Sequence, residues 1–274
     1  MINHHNAIEA ENLSLNLNGS QIFSDVNLAI PYRSVVGLVG RNGAGKSSLL
    51  RTLVGLTYST SGTSHLLTCP SKQLNDPTRE RLGYVAQTPD LFGWMQCWQH
   101  IETIGLSYEN WTPTRAMNLA LKLDLPLKQK VSTLSIGDQQ KLSVVLALAH
   151  DPDLVLMDEP VASLDPLSRR DFMRAIFDDR GPNKEPRTMV ISSHILSDLE
   201  RVITHILFMR KGKIQFFDEW EAIGEFVRID ERHQSKSPIH KTEAGVAVVD
   251  VRTEPNLADA DRVSFDDLFV IMNS

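Results

Sequence analysis

The chain has 274 residues, 42% of them hydrophobic, and a net charge of −6. That is enough for one large core plus a small appendage. No basic stripe runs through it, which excludes a dedicated DNA or RNA binder. The longest basic cluster, Arg210-Lys211-Gly212-Lys213, has the apolar flanks and central glycine of a hairpin turn.

At the N-terminus, Met1 to His5 has neither a basic nor an apolar stretch, so no export signal is expected. Ile8–Leu17 and Val26–Ile30 are predicted strands, with Asn18-Gly19-Ser20 as a turn between them. The apolar run Val35-Val36-Gly37-Leu38-Val39 predicts a strand that delivers Gly40, Arg41, Asn42, Gly43, Ala44, Gly45, Lys46, Ser47 and Ser48. A helix over 47–54 carries the chain away, ending near Gly55. Strand, Gly-x4-Gly-Lys-Ser and helix together have a mechanical reading as a phosphate-binding loop, or P-loop. Glycines let backbone amides curl around phosphate oxygens, and the helix N-terminus adds a favourable dipole. Lys46 would reach the β- and γ-phosphates of a nucleotide, and the Ser47 hydroxyl would hold magnesium.

Ser61-Gly62-Thr63 starts another strand and 81–87 forms a further one. From Met95 to about Leu125 apolar residues recur at every third or fourth position, among them Trp98, Ile101, Ile104, Met117, Leu119 and Leu123. With a helix from Gln139 to His150, this makes a helical insertion over about 95–150. Its apolar run Val144–Ala149 reads as a buried helix, and no stretch approaches the roughly 20 apolar residues of a membrane span. Cys69 and Cys97 have no metal or redox spacing and suit a reducing compartment. A soluble, cytosolic chain is therefore expected.

Ser135-x-x-Asp138 has the form of a capping box, and a helix N-terminus beside a hydroxyl is also an anion site. Leu154–Met157 is a predicted buried strand ending in Asp158 and Glu159, at the carboxyl end where ligands bind in α/β sheets. The first acid suits magnesium through its water shell and the second suits polarising an attacking water. A helix over Leu167–Phe177, a strand over Thr188–Ser192, a helix through Leu196 and Leu199, and a hairpin of 206–209 with 214–217 follow. Alternating strands and helices predict an α/β architecture with a mainly parallel sheet, beside a smaller antiparallel subdomain. After about Glu225 the composition turns polar over Ile229–Glu243, while Val246–Val251 and Phe265–Met272 stay apolar. These residues read as a linker with a small C-terminal appendage, or as a disordered tail on composition alone.

The order of P-loop, Leu134-Ser135-Ile136-Gly137-Asp138-Gln139-Gln140 and Met157-Asp158-Glu159-Pro160 resembles the ATP-binding-cassette (ABC) ATPases, over roughly residues 7–218. The resemblance implies a P-loop NTPase core and an ATPase domain over 1–224, followed by the appendage over 225–274. It also implies ATP and Mg2+ as cofactors. Gln87 matches the glutamine that contacts magnesium and the attacking water, His194 the switch histidine on the γ-phosphate, and Ser163-Leu164-Asp165 the D-loop. Glu159 would activate water, and Ser47, Gln87 and Asp158 would hold the metal. In this family two subunits dimerise head to tail, so Ser135, Gly137 and Gln139 would complete the partner's site.

With one cassette and no span, the chain resembles bacterial exporter-type subunits. The implied function is a motor that hydrolyses ATP to drive export through a separate permease, with a second identical or closely related ATPase subunit and no nucleic-acid partner. Its place would be the cytoplasmic face of the inner (cell) membrane. The alternative is a non-transport ABC ATPase, or a regulatory ATP-binding protein of low turnover. Leu91, Phe92, Trp94 and Met95 are candidates to line the permease groove.

Two departures from the family pattern carry expectations. Ile136 stands where the signature usually has glycine, and Asp138 where it has glutamine. A positive φ at 136 would strain a β-branched residue, and Asp138 would bring negative charge near a triphosphate. Slower or weaker dimer closure follows from both. Leu17 occupies the usual place of the adenine-stacking aromatic, with Phe23 the nearest aromatic after it. Affinity should then rest mostly on the phosphates.

Overall fold

A computed structural model describes residues 5–177, 185–194, 199–231, 235–242, 244–262 and 264–273. The chain opens with two long strands, β1 (Asn6–Leu17) and β2 (Ser20–Pro31), joined by Asn18-Gly19. Both turn residues have positive φ, 50° and 79°, which is the two-residue hairpin geometry that Asn-Gly favours. Next come β3 (Val35–Val39), α1 (Lys46–Leu53), β4 (Ser61–Leu66), β5 (Cys69–Pro70), α2 (Asp76–Arg79) and β6 (Leu82–Val85). The helical region holds α3 (Cys97–Gly105), α4 (Pro113–Lys122) and α5 (Ile136–Leu148). Then follow β7 (Leu154–Asp158), α6 (Pro166–Phe177), β8 (Thr188–Ser193), β9 (His205–Arg210) and β10 (Lys213–Glu219). The helix expected through Leu196 falls largely outside the described residues, and Leu199 lies in a turn.

Among the described residues, three sheets result. The antiparallel sheet is ordered β2-β1-β4-β5, and the central one is β10-β9-β3-β8-β7-β6. In the central sheet all pairings are parallel except β9 with β10 at one edge. Both faces are covered, as a parallel sheet requires. Val36, Leu38, Leu154, Leu156, Val190 and Leu207 point toward α1 and the antiparallel sheet. Val39, Val155, Met157, Ile191 and Phe208 point toward the helices. Alternate residues of β7 thus belong to two different cores, which explains its unbroken apolar sequence.

After β10, α7 (Trp220–Phe226) runs across residue 224 into β11 (Val227–Asp230). Strands β12 (His240–Lys241), β13 (Ala247–Asp250) and β14 (Asp261–Arg262) complete an antiparallel sheet ordered β12-β13-β11-β14, and α8 (Phe265–Asn273) packs on β12 and β13. The polar stretch after Ile229 therefore contributes to two strands. Among the described residues, no helix is long and apolar enough to cross a membrane.

Candidate functional site

Strand register gathers the site. Val39 of β3 pairs with Ser193 of β8, and Ser192 pairs with Asp158 of β7. The loop leaving β3, the acids ending β7 and the histidine following β8 therefore emerge side by side at one edge. Val85 of β6 pairs with Met157, so Gln87 leaves the sheet at the same edge. Asn42 to Ser48, Ile22, Gln87 and Glu159 line a cleft of ≈ 300 Å³. Gly45 precedes α1 at φ 104°, a conformation open to glycine.

Lys46 and Glu159, both about 6% exposed, form the centre. Lys46 Nζ donates to Gly40 O at 2.8 Å and lies 3.3 Å from Glu159 Oε1. Glu159 Oε2 lies 2.7 Å from His194 Nδ1. One buried carboxylate thus bridges a loop cation and a histidine. A charge so far from water persists only when paired. Glu159 itself has φ 47°, a left-handed conformation uncommon for a residue with a side chain.

Ser192 supports both acids. Its hydroxyl donates to Asp158 Oδ1 at 2.7 Å and accepts from the Glu159 backbone N–H at 2.8 Å. Sequence reasoning read Ser192 only as the end of a strand. The available signal was a hydroxyl at the carboxyl end of an apolar strand, next to a strand ending in two acids. Gln140, read only as part of the signature run, has a contact of its own: its amide donates to Ala86 O at 3.2 Å, tying the head of α5 to the segment before Gln87. Burial, and then the Asp158 charge, push the Tyr84 phenol up to about 12, so it stays neutral beside these carboxylates.

Ser135, Gly137 and Gln139 do not line the cleft. Ser135 caps α5: its hydroxyl accepts from Asp138 N at 3.1 Å and donates to Asp138 Oδ2 at 2.7 Å. Lys141 Nζ lies 3.2 Å from Asp138 Oδ1, which offsets the aspartate charge. Gln139 donates to Leu134 O. A Cβ at Gly137 would sit 2.9 Å from Leu164 Cδ2, the movable end of a flexible side chain. Asp165 accepts from Ser168 N and Oγ, capping α6.

Ile136 corrects an expectation. It is the first residue of α5, is 67% exposed and does not have positive φ, so no backbone strain arises there. Ile136→Gly is accordingly expected to leave the ATPase rate and ATP-driven dimerisation within about twofold of wild type, since a first-turn change costs little. A gain of tenfold in either measurement would show that the side chain itself obstructs closure.

A family model described as ABC transporter matches residues 23–162, half of the chain. The chain belongs to the ABC transporter family. It is similar to the bacitracin transport ATP-binding protein BcrA of Enterococcus faecalis, at 28% identity over 76% of this chain and 67% of the relative. It is also similar to the lantibiotic transport ATP-binding protein SrtF of Streptococcus pyogenes, at 27% identity over 78% and 92%. Among solved structures, an ATP-binding subunit of an ABC transporter superposes with a TM-score of 0.70 at 22% identity, over 79% of this chain and 91% of that one. A dimeric, post-hydrolysis state of the ATP-binding cassette MJ0796 gives 0.68 at 21% identity, over 77% and 98%. This ABC chain is an ATPase, the ATP-driven motor component of a transporter.

Proposed function

We propose that two copies of this ABC subunit, or one copy and a close paralogue, close head to tail around two ATP molecules and drive export through a separate permease. One observation carries the reading. The Glu159 carboxylate stands in the P-loop cleft between Lys46 and His194, where it can take a proton from water attacking a γ-phosphate. Amides of the loop from Gly40 to Ser48, with Lys46, hold the phosphates. Gln87 orients the water, and His194 contacts the γ-phosphate once Lys46 turns to the nucleotide.

The Ser47 hydroxyl, the Gln87 amide oxygen and the Asp158 carboxylate are all hard oxygen donors, the set that magnesium takes. Only Oδ1 of Asp158 takes the Ser192 hydroxyl, which favours Oδ2 for the metal's water shell. Magnesium bound there would neutralise phosphate charge.

Ser135, Gly137 and Gln139 serve the other subunit's nucleotide in this reading, with Asp165 in the D-loop at the junction. Support comes from Ser135, which is exposed at the N-terminus of α5 yet outside its own P-loop cleft. A separate groove of ≈ 640 Å³, with Arg51, Leu91, Ile104, Tyr108 and Leu146 in its walls, supports docking of a permease segment. Of the four candidates Leu91 is in its walls, Phe92 and Trp94 are exposed outside them, and Met95 is buried with its backbone bonded to Phe92 and Val131. Through that partner the subunit would sit on the cytoplasmic face of the membrane. The names of BcrA and SrtF support transport, and export follows from the exporter-type sequence pattern.

Mixing two inactive variants tests the shared site. Lys46→Ala removes the phosphate clamp, and Ser135→Arg blocks the signature. Each alone should hydrolyse no ATP. In a one-to-one mixture about half of randomly paired dimers hold one intact site, so activity should return. A mixture as inactive as its components, beside an active wild type, overturns the shared-site reading.

A further inference from the structure

The β9–β10 hairpin forms the wall behind the P-loop. Both residues of its turn, Lys211 and Gly212, have left-handed backbone, at φ 46° and 74°. Gly212 N donates to Ala44 O at 3.0 Å, and Gly212 O accepts from Ser24 N at 3.0 Å. The fully buried Met209 shapes the loop more closely still. Its carbonyl oxygen lies 2.1 Å from where a Cβ at Gly40 would be, and its Cε lies 2.9 Å from that position at Gly45. Gly43, by contrast, would have nothing within 4 Å of its Cβ. The hairpin is therefore the mould for the loop's back, while Gly43 faces open space.

The C-terminal segment, through β12, α8 and the turn after β13, grips this hairpin at three points. Arg210 Nη1 lies 3.0 and 2.8 Å from the two ring nitrogens of His240, a buried residue of β12. Nearly equal distances to both nitrogens place Nη1 over the face of the imidazole, a cation stacked on a ring. Burial, and then the Arg210 charge, hold His240 below the usual histidine range, which favours a neutral ring under the guanidinium. Phe269 of α8 meets Phe208 of β9 edge-on, with ring centroids 6.4 Å apart. At the base of the hairpin, Arg252 pairs with Asp218 of β10 and with Asp250, and its guanidinium lies 5.1 Å over the Phe226 ring.

We infer that the C-terminal segment positions the P-loop through the β9–β10 hairpin, with His240, holding Arg210, as the positioning contact nearest the nucleotide. Close-packed interiors transmit displacement instead of absorbing it. From Arg210 the backbone needs only Lys211 and Gly212 to reach the bond to Ala44. The inference concerns nucleotide affinity of the ATPase itself and holds whether or not the permease reading does.

Full-length His240→Ala tests it, with ATP KM, kcat, the Kd for ADP and thermal stability as readouts. KM and the ADP Kd are expected to rise about three- to tenfold with kcat within about twofold, the size of effect that contacts along a coupled path exert. His240→Phe, which keeps a neutral ring under the guanidinium, should recover most of the affinity. Arg210→Lys breaks the same contact from the hairpin side and should shift KM alike. Val249→Ala separates positioning from stability, because Val249 is buried with Ala247 and Leu257 in a cluster apart from the hairpin. It should lower Tm and leave KM unchanged. Unchanged KM and ADP Kd in folded His240→Ala or Arg210→Lys protein overturns the inference. So does an equal rise in Val249→Ala.

Discussion

Glu159→Gln should slow ATP hydrolysis by about 10²- to 10⁴-fold, the contribution of a positioned general base, while nucleotide still binds. The amide has nearly the carboxylate's shape but cannot accept a proton from water. It also ends the ion pair with Lys46, while an amide can still hydrogen-bond His194. Lys46 keeps its bond to Gly40 O and remains free to take phosphate, so affinity should hold or improve. Phosphate release at saturating ATP, together with equilibrium nucleotide binding, separates the two effects. Hydrolysis within tenfold of wild type would remove Glu159 from the role of base. Loss of binding would instead make the carboxylate part of the loop's scaffold.

Ser192→Ala should cost both rate and stability. The alanine leaves the buried Glu159 N–H without its acceptor and Asp158 Oδ1 without its donor. Leaving buried polar groups unsatisfied costs about 1–3 kcal/mol. The kinetic penalty is larger in kind, because this hydroxyl holds the backbone N–H of Glu159, the residue proposed as base. A displacement of roughly 1 Å in a catalytic group can lower a rate about 100-fold. A fall in kcat of about 10- to 100-fold is therefore expected, with the smaller change in KM. Steady-state kinetics paired with thermal denaturation would check this, and wild-type kcat in the variant would show that register alone holds the acids.

Much of the site was legible because local chemistry and strand context agreed. Gly40 to Ser47 is readable from the apolar strand before it and the helix after it, and Asp158-Glu159 from the strand they end. Gln87 and His194 were legible only through family resemblance, since neither has a local signature. What stayed hidden depends on which strands lie side by side. Ser192 matters because β7 and β8 are neighbours in register, and no spacing in the sequence states that. The glycines at 40 and 45 read as phosphate-binding, yet their crowding comes from Met209, far along the chain. Ile136 went astray in the opposite direction. A family comparison made it look strained, whereas the cap at Ser135 sets the position as an ordinary helical first residue. The C-terminal segment was legible as apolar runs, but its sheet needs His240 and Asp261 to find β13 and β11 across polar stretches.

The central position of β3 has a consequence for how the protein is made. Its neighbours are β8 and β9, so the strand that carries the loop pairs only with segments that lie more than half a chain length away. Helix α1 can form early, but the wall behind the loop arrives only with Met209 and Gly212. At ribosomal speeds of about 5–20 residues per second, on the order of ten seconds separate Lys46 from that turn. During this interval an apolar strand waits without partners, the kind of non-local pairing that makes folding slow and exposes a nascent chain to aggregation. The nucleotide pocket is thus among the first parts of the cassette to be synthesised and among the last to be assembled.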